Sequence, residues 1–390
     1  VWYNIMNTDD NHSKKEHNSH QSLCCFNVAC YSDLSLQLSE YANQSEQPLL
    51  YIAENMQKAL SCYYECIFFS TKPVYLLPDW ETLPYDSLSP HSELCSERLA
   101  TLYAIPQLKQ GIVIAAASTL MHRMIPKSYL ERVAFVLQCG ENLKLEAFKQ
   151  QLLTMGYEHL KEVTASGEFC CKGGIIDVFP MGSNTPYRIE LFDDEVESIR
   201  SFDPETQLSI SKIEHIQLLP ATEYPLTADA IQLFRQNWRR LFDTDPHQSV
   251  TYENISQANP SPGTEYYLSL FFDELSDITD YLPKNTIIVR NSKQLKQKGS
   301  GFFENVNKRY EQLRYDTHRP ICQPNACFIM LKDFLDMMST YKHIEFKFRS
   351  DNNNQIDDVK WKITSTQFIE YTLQQADENR IIFCINSQAK

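Results

Sequence analysis

Between residues 30 and 140, short runs of consecutive apolar residues alternate with stretches whose apolar positions recur at helical spacing. The runs at 49–53, 74–77 and 111–117 read as strands, and 56–66 and 92–108 read as helices, the second broken near its end by Pro106. A further run at 133–137 reads as another strand. Strands that are apolar throughout, with helices between them, are the pattern of a parallel sheet covered on both faces. The expectation is an α/β body.

Beyond residue 140 the pattern changes. Residues 143–155 place Leu145, Phe148, Leu152 and Met155 on one helical stripe. Short extended runs follow at 159–163, 168–172, 175–179, 187–192 and 196–202, punctuated by Gly173-Gly174, a segment running from Pro180 to Pro186, and the acidic turn Asp193-Asp194-Glu195. This predicts a small inserted α+β domain built on antiparallel ribbon. Helical periodicity returns at 228–241, and 266–272 and 286–289 read as strands. The polar start predicts a flexible tail over residues 1–30. At the other end, the Asn-rich stretch 351–359 reads as a loop and 381–385 as a lone strand, within a further small domain that starts near 336 and is interrupted.

Composition narrows the function classes. The chain has 390 residues, 43% of them apolar, which is ample for buried cores, and 36 Lys plus Arg against 50 Asp plus Glu give a formal charge of −14. Such a chain is a poor non-specific ligand for DNA or anionic membrane, since that binding rests on cations neutralising phosphate. Eight Lys or Arg against three Asp or Glu make residues 290–319 locally basic, which reads as a solvated helix face or linker before it reads as a DNA contact. No apolar run is long enough to span a bilayer, the N-terminus lacks a signal-peptide pattern, and the 12 cysteines form no CxxC pair. Free thiols in a reducing cytoplasm are expected, and no metal site.

Glycine decides the question of nucleotide chemistry. There are 10 in the chain, none before Gly111, and no Gly-Lys-Ser or Gly-Lys-Thr occurs anywhere. A phosphate-cradling loop needs those residues, so ATP hydrolysis is not expected of this chain. The apolar run of residues 268–272 ending in Asp273-Glu274 imitates the magnesium-binding strand end of a motor, but without a phosphate loop it reads as a strand leaving the core. Ser198 and Ser201 lie in no nucleophile motif, His91 reads as a helix-cap residue, and Asp193, Asp194, Glu195 and Glu197 read as a solvated turn. One segment points to binding. Strand alternation across Arg188-Ile189-Glu190-Leu191-Phe192 buries Ile189 and Leu191 and turns Arg188, Glu190 and Phe192 outward. A large aromatic among charges is the composition of a protein–protein hot spot.

Three blocks carry a resemblance. Leu-Pro-Asp-Trp-Glu-Thr-Leu-Pro-Tyr-Asp-Ser-Leu-Ser-Pro-His at 77–91, with Ser-Glu-Arg-Leu at 96–99, resembles the region near the start of bacterial transcription-repair coupling factors. Gly-Gly-Ile-Ile-Asp-Val-Phe-Pro-Met-Gly-Ser at 173–183, with Pro-Tyr-Arg at 186–188 and Phe-Asp-Asp-Glu at 192–195, is similar to a second block, and 263–272 to a third. The resemblance implies a degenerate RecA-like, UvrB-like α/β body (domain 1a at 31–133, domain 1b at 220–335) that lacks the phosphate loop. An inserted domain 2 at 134–219 would dock UvrA. It places UvrA contacts at Lys172, Arg188 and Phe192, with Lys172 standing where the family usually has Arg; Lys keeps the charge but loses the planar fork. It also implies that contacts with RNA polymerase and DNA, and the ATP- and Mg-dependent translocase, lie in family regions outside this chain. The alternatives are a UvrB-like or helicase-type repair enzyme, which would need the phosphate loop, and a stand-alone UvrA decoy.

Overall fold

The computed structural model describes residues 22–348. Six strands form a fully parallel sheet: β1 (Ser22–Val28), β2 (Pro48–Ala53), β3 (Val74–Leu77), β4 (Gly111–Ala116), and two that return late in the chain, β13 (Ile287–Arg290) and β14 (Lys342–Phe348). Their spatial order is β1-β14-β13-β2-β4-β3. Successive residues of β2 enter different cores. Leu49, Tyr51 and Ala53 pack under α1 (Tyr31–Gln44) and α2 (Met56–Phe69), and Leu50 and Ile52 pack against α3 (Ser92–Ala104) on the opposite face. Two-sided burial is why this strand reads as a continuous apolar run. At the start of β4 only glycine fits: Gly111 has φ +134°, and a Cβ there would stand 2.5 Å from the Pro73 carbonyl oxygen.

The inserted region has its own sheet. Between β4 and β13 the chain forms β5 (Phe135–Gln138), helix α4 (Leu145–Thr154), β6 (Glu158–His159), β7 (Glu168–Lys172), β8 (Ile175–Val178), β9 (Tyr187–Phe192), β10 (Glu195–Phe202), β11 (Ser209–Ile213) and β12 (His215–Leu218). The sheet order is β11-β10-β9-β8-β7-β6, antiparallel except for the β6–β7 pair. Its inner face meets Phe148 and Leu152 of α4, and those side chains belong to the same continuous core as Leu99 and Leu102 of the body. The last stretch carries α5 (Ala228–Leu241) and the long α6 (Ser292–Leu313).

Several expectations are corrected. The run at 266–272 is not a strand: Thr264–Leu270 is a 3-10 helix whose Tyr266, Tyr267, Leu268 and Leu270 are all buried. A short apolar run enclosed on every side has no periodicity to separate strand from helix. Asp273 and Glu274 therefore sit in an exposed loop and not at a strand end. The strand expected at 133–137 is β5, paired antiparallel with β12 outside the parallel sheet. The run at 159–163 keeps only one strand residue, His159, the second of the two-residue β6. The expected tail over 1–30 contains β1, and the domain expected from 336 contains β14. These two strands pair in the parallel sheet, so both belong to the body. Residues 351–359 and 381–385 lie outside the described residues.

A buried ion pair ties the two regions together. Arg98 on α3 and Glu223, just past β12, have side chains 2% and 1% exposed, with Nε and Oε1 2.9 Å apart. Arg98 also donates to the Pro78 carbonyl at 3.1 Å, and the Trp80 indole donates to Glu223 at 2.9 Å. The loop that follows Trp80 is held from behind. The Tyr85 ring is fully buried and its φ is +62°, Arg309 donates to the Pro84 carbonyl at 2.6 Å, and Arg319 donates to the carbonyls of Tyr85 and Asp86. Two cations of the basic stretch are thus spent inside the fold. Arg314 pairs with Glu311 at 2.9 Å, while Lys293, Lys296, Lys298 and Lys308 stay exposed on α6.

Removing one partner of a desolvated pair strands the other charge. Arg98→Met is expected to cost about 3–5 kcal/mol in urea unfolding, and adding Glu223→Gln to recover part of that loss. Glu265 supplies a second test. Burial pushes its carboxyl up to about 7, and it accepts a bond from Ser89 Oγ at 2.9 Å. Folding then takes up a proton between the ordinary value of 4.5 and about 7, so stability falls as pH rises through that window. The fall is at most ~3 kcal/mol, and Glu265→Gln should flatten it; an equally steep profile in the variant would show that another group is responsible.

Candidate functional site

The outer face of the inserted sheet is fixed by register. Cys171, Ile176, Ile189, Ile199 and Ile213 stand opposite one another across five strands and form the inner, apolar row. The alternate rows face outward: Cys170, Asp177, Arg188, Arg200 and Lys212 in one, and Lys172, Ile175, Glu190 and Ser198 in the next. Gly173 makes the β7–β8 turn at φ +62° with nothing within 4 Å of its Cβ position, so backbone conformation rather than space demands glycine there. Leu191 donates to the Gly174 carbonyl at 2.8 Å, which lays this turn against the end of β9 beside Phe192.

The three residues singled out from sequence share this face but differ in state. Phe192 is 69% exposed, with Ile175 nearby at 39%. Lys172 is exposed and forms no ion pair among the described residues. Arg188 is committed. Its Nε and Nη2 bind the two oxygens of Asp177 at 2.7 and 2.9 Å, and Nη1 reaches the Gln207 carbonyl at 3.3 Å. The guanidinium carbon lies 4.9 Å from the centre of the Phe202 ring. The fork on Asp177 raises the Arg188 pKa, through hydrogen bonding first and charge second. Beneath it Val163, Cys170, Phe179 and Phe202 make a satellite core that the Arg188 fork closes. Glu190, the other charge on the strand, takes Ser198 Oγ at 2.6 Å and Arg200 at 3.3 Å.

The acidic turn Asp193-Asp194-Glu195 is exposed and held by backbone alone: Leu143 donates to the Asp194 carbonyl at 2.5 Å. Sequence reasoning missed Ile175 and Asp177. Their signal was present, since alternation along Ile175-Ile176-Asp177 sends both to the face that carries Arg188. An exposed aromatic beside exposed and paired charges is the side-chain composition of a protein-binding surface.

Residues 135–224 match the UvrB interaction domain family. The chain is similar to the transcription-repair-coupling factor of Escherichia coli (strain K12), 37% identical over 311 residues, and to that of Haemophilus influenzae, 35% identical over 316 residues; each match covers 80% of this chain and 27% of the relative. The Staphylococcus aureus (strain MRSA252) protein of the same name is 31% identical over 265 residues, covering 64% of this chain and 23% of the relative. The chain thus spans about a quarter of the length of the relatives it matches, and the matched part is their N-terminal region.

The different states of the site residues predict different folding costs. Phe192→Ala should change unfolding free energy by no more than about 0.5 kcal/mol, as for other exposed positions. Asp177→Ala, which strands the Arg188 fork, should cost about 1–3 kcal/mol. Equal effects in denaturant titrations would contradict the geometry described.

Proposed function

We propose that this chain is the UvrA-recruiting module of a transcription-repair coupling factor, joining a stalled RNA polymerase to nucleotide excision repair. The observation that carries the reading is the exposed Phe192 on the outer face of the segment that matches the UvrB interaction domain, a face that also carries Lys172, exposed and without an ion pair among the described residues. Buried aromatic anchors dominate binding energy at protein interfaces, and an adjacent cation that has no partner of its own can pair with a carboxylate on the incoming protein. Arg188 contributes by shaping the surface: its fork on Asp177 holds β8, β9 and the turn before β11 in one plane.

In this reading no chemical step belongs to these residues. Polymerase contact, DNA translocation and use of ATP and Mg fall to segments of the relatives outside the matched quarter, and the working compartment is the cytoplasm. Among the described residues no helix is long and apolar enough to cross a membrane.

Titrating purified UvrA against the chain tests the reading. Phe192→Ala should lose ~2 kcal/mol of binding, about thirtyfold in Kd, with folding unchanged. Lys172→Arg should bind more tightly, because the planar fork can meet a carboxylate with two bonds. A folded parent chain that fails to bind UvrA at micromolar concentration, with Lys172→Arg equally inert, would overturn the assignment.

A further inference from the structure

Helix α2 buries Ala59, Cys62, Cys66 and Phe69 against the parallel sheet. On its other side Leu60, Tyr64, Ile67 and Phe68 are 39%, 63%, 50% and 76% exposed. Positions i, i+4, i+7 and i+8 lie on one helical stripe, where a surface helix ordinarily carries charge. Four large apolar side chains in contiguous array differ from the scattered single exposures that every protein shows. The charges α2 does have are used elsewhere: the Lys58 ammonium lies 4.1 Å from the centre of the Tyr31 ring, and Glu65 accepts a bond from Ser32 at 2.7 Å.

Beside the stripe runs a groove of about 430 Å³ between α2, α3 and the loop after β8. Leu60, Tyr63 and Tyr64 line one wall and Glu93, Glu97 and Ala100 the other, and no Lys or Arg lines it. Glu93 and Glu97 are exposed one turn apart on α3. Partial burial, with the charge of Glu93 second, raises the Glu97 carboxyl above its usual range. Tyr63 is raised by burial and then by the charge of Glu97, and both side chains line the groove. Glu97 has no ion-pair partner among the described residues, and Glu93 meets only His91 at 3.8 Å.

We propose that the α2 stripe and its acidic groove dock a basic amphipathic helix of a partner protein, with aliphatic side chains on Leu60, Tyr64, Ile67 and Phe68 and Lys or Arg on Glu93 and Glu97. Charge selects this occupant. An anionic membrane would be repelled by the acidic wall. A second copy meeting this face across a two-fold axis would bring like charges together. A helix with a cationic flank satisfies both walls, as helix-in-groove recognition does. The stripe lies on the body and the groove at its seam with the inserted region, and neither includes Lys172, Arg188 or Phe192, so the proposal stands or falls apart from UvrA binding.

The probe is a pair of fluorescein-labelled peptides of about 18 residues, long enough to be helical, one with a Leu stripe flanked by Lys and the other flanked by Glu. Anisotropy with the full chain should show micromolar binding of the Lys peptide and at least about tenfold weaker binding of the Glu peptide, a difference of 1.4 kcal/mol. Ile67→Ser with Phe68→Ser should weaken the Lys peptide by about tenfold or more, since it removes two apolar anchors. Glu93→Gln with Glu97→Gln should weaken it several-fold and reduce its salt dependence. Asp193→Asn with Asp194→Asn, neutralising an equally acidic turn elsewhere, should change nothing. Equal loss on neutralising that turn, or indifference to Phe68, would reduce the effect to the net charge of the chain and overturn the proposal. So would a concentration-dependent dimer in sedimentation that Ile67→Ser with Phe68→Ser abolishes, since the stripe would then be a contact between copies.

Discussion

The Arg98–Glu223 pair is the constraint on which the rest of the arrangement depends. Two opposite charges withdrawn from water cost several kcal/mol each to desolvate, and only close pairing with further hydrogen bonds offsets it. Here the offset is incomplete: among the described residues Arg98 Nη2 and Glu223 Oε2 find no hydrogen-bond partner, and the Nε–Oε1 contact is an ion pair without hydrogen-bond alignment. The contact therefore tolerates no slack. It fixes α3, the Pro78 carbonyl and Trp80 on one side, and on the other the segment where the chain re-enters the body after the inserted sheet. The close approach of Gly182 to Ala100, and its backbone bond to Ser96 Oγ at 2.7 Å, make a second attachment on the same helix. The outer face of the inserted sheet is consequently presented by a rigid frame, with one core running beneath both regions.

This also explains the dense segment at 77–91. It contains a fully buried Tyr85, a positive φ at Glu81 and Tyr85, and carbonyls taken by Arg309 and Arg319 from more than 200 residues away. Its buried residues, Trp80, Pro84 and Tyr85 among them, are specified by packing, because a backbone turn pressed against a core must have its polar groups satisfied from elsewhere in the chain.

Much of the fold was legible because local pattern and tertiary role agreed. Residues 74–77, 168–172, 187–192 and 228–241 are read from periodicity and found as β3, β7, β9 and α5 with those bounds. The failures share a cause. Thr264–Leu270 is enclosed on all sides, so no periodicity marks it as helical. β1 is a strand through β14, which itself pairs with β13 on its other side, and neither β1 nor β14 contains the information that the other will lie beside it. On the candidate face, alternation places Arg188 and Phe192 correctly but cannot reveal that Arg188 is occupied. That depends on Asp177, eleven positions away, and on a carbonyl beyond the next hairpin.

The pairing of β1 with β14 has a temporal consequence. Among the described residues β1 occupies the sheet edge and its one neighbour is β14, whose residues follow it by about 320 positions. At roughly 5–20 residues per second, a ribosome needs about 16 to 64 seconds between releasing the first strand and the second. Throughout that interval β2, β4 and β3 can assemble beneath α2 and α3, while β1 has no ladder to join. The parallel sheet is thus closed from its centre outward, and its N-terminal strand is among the last to be seated during synthesis.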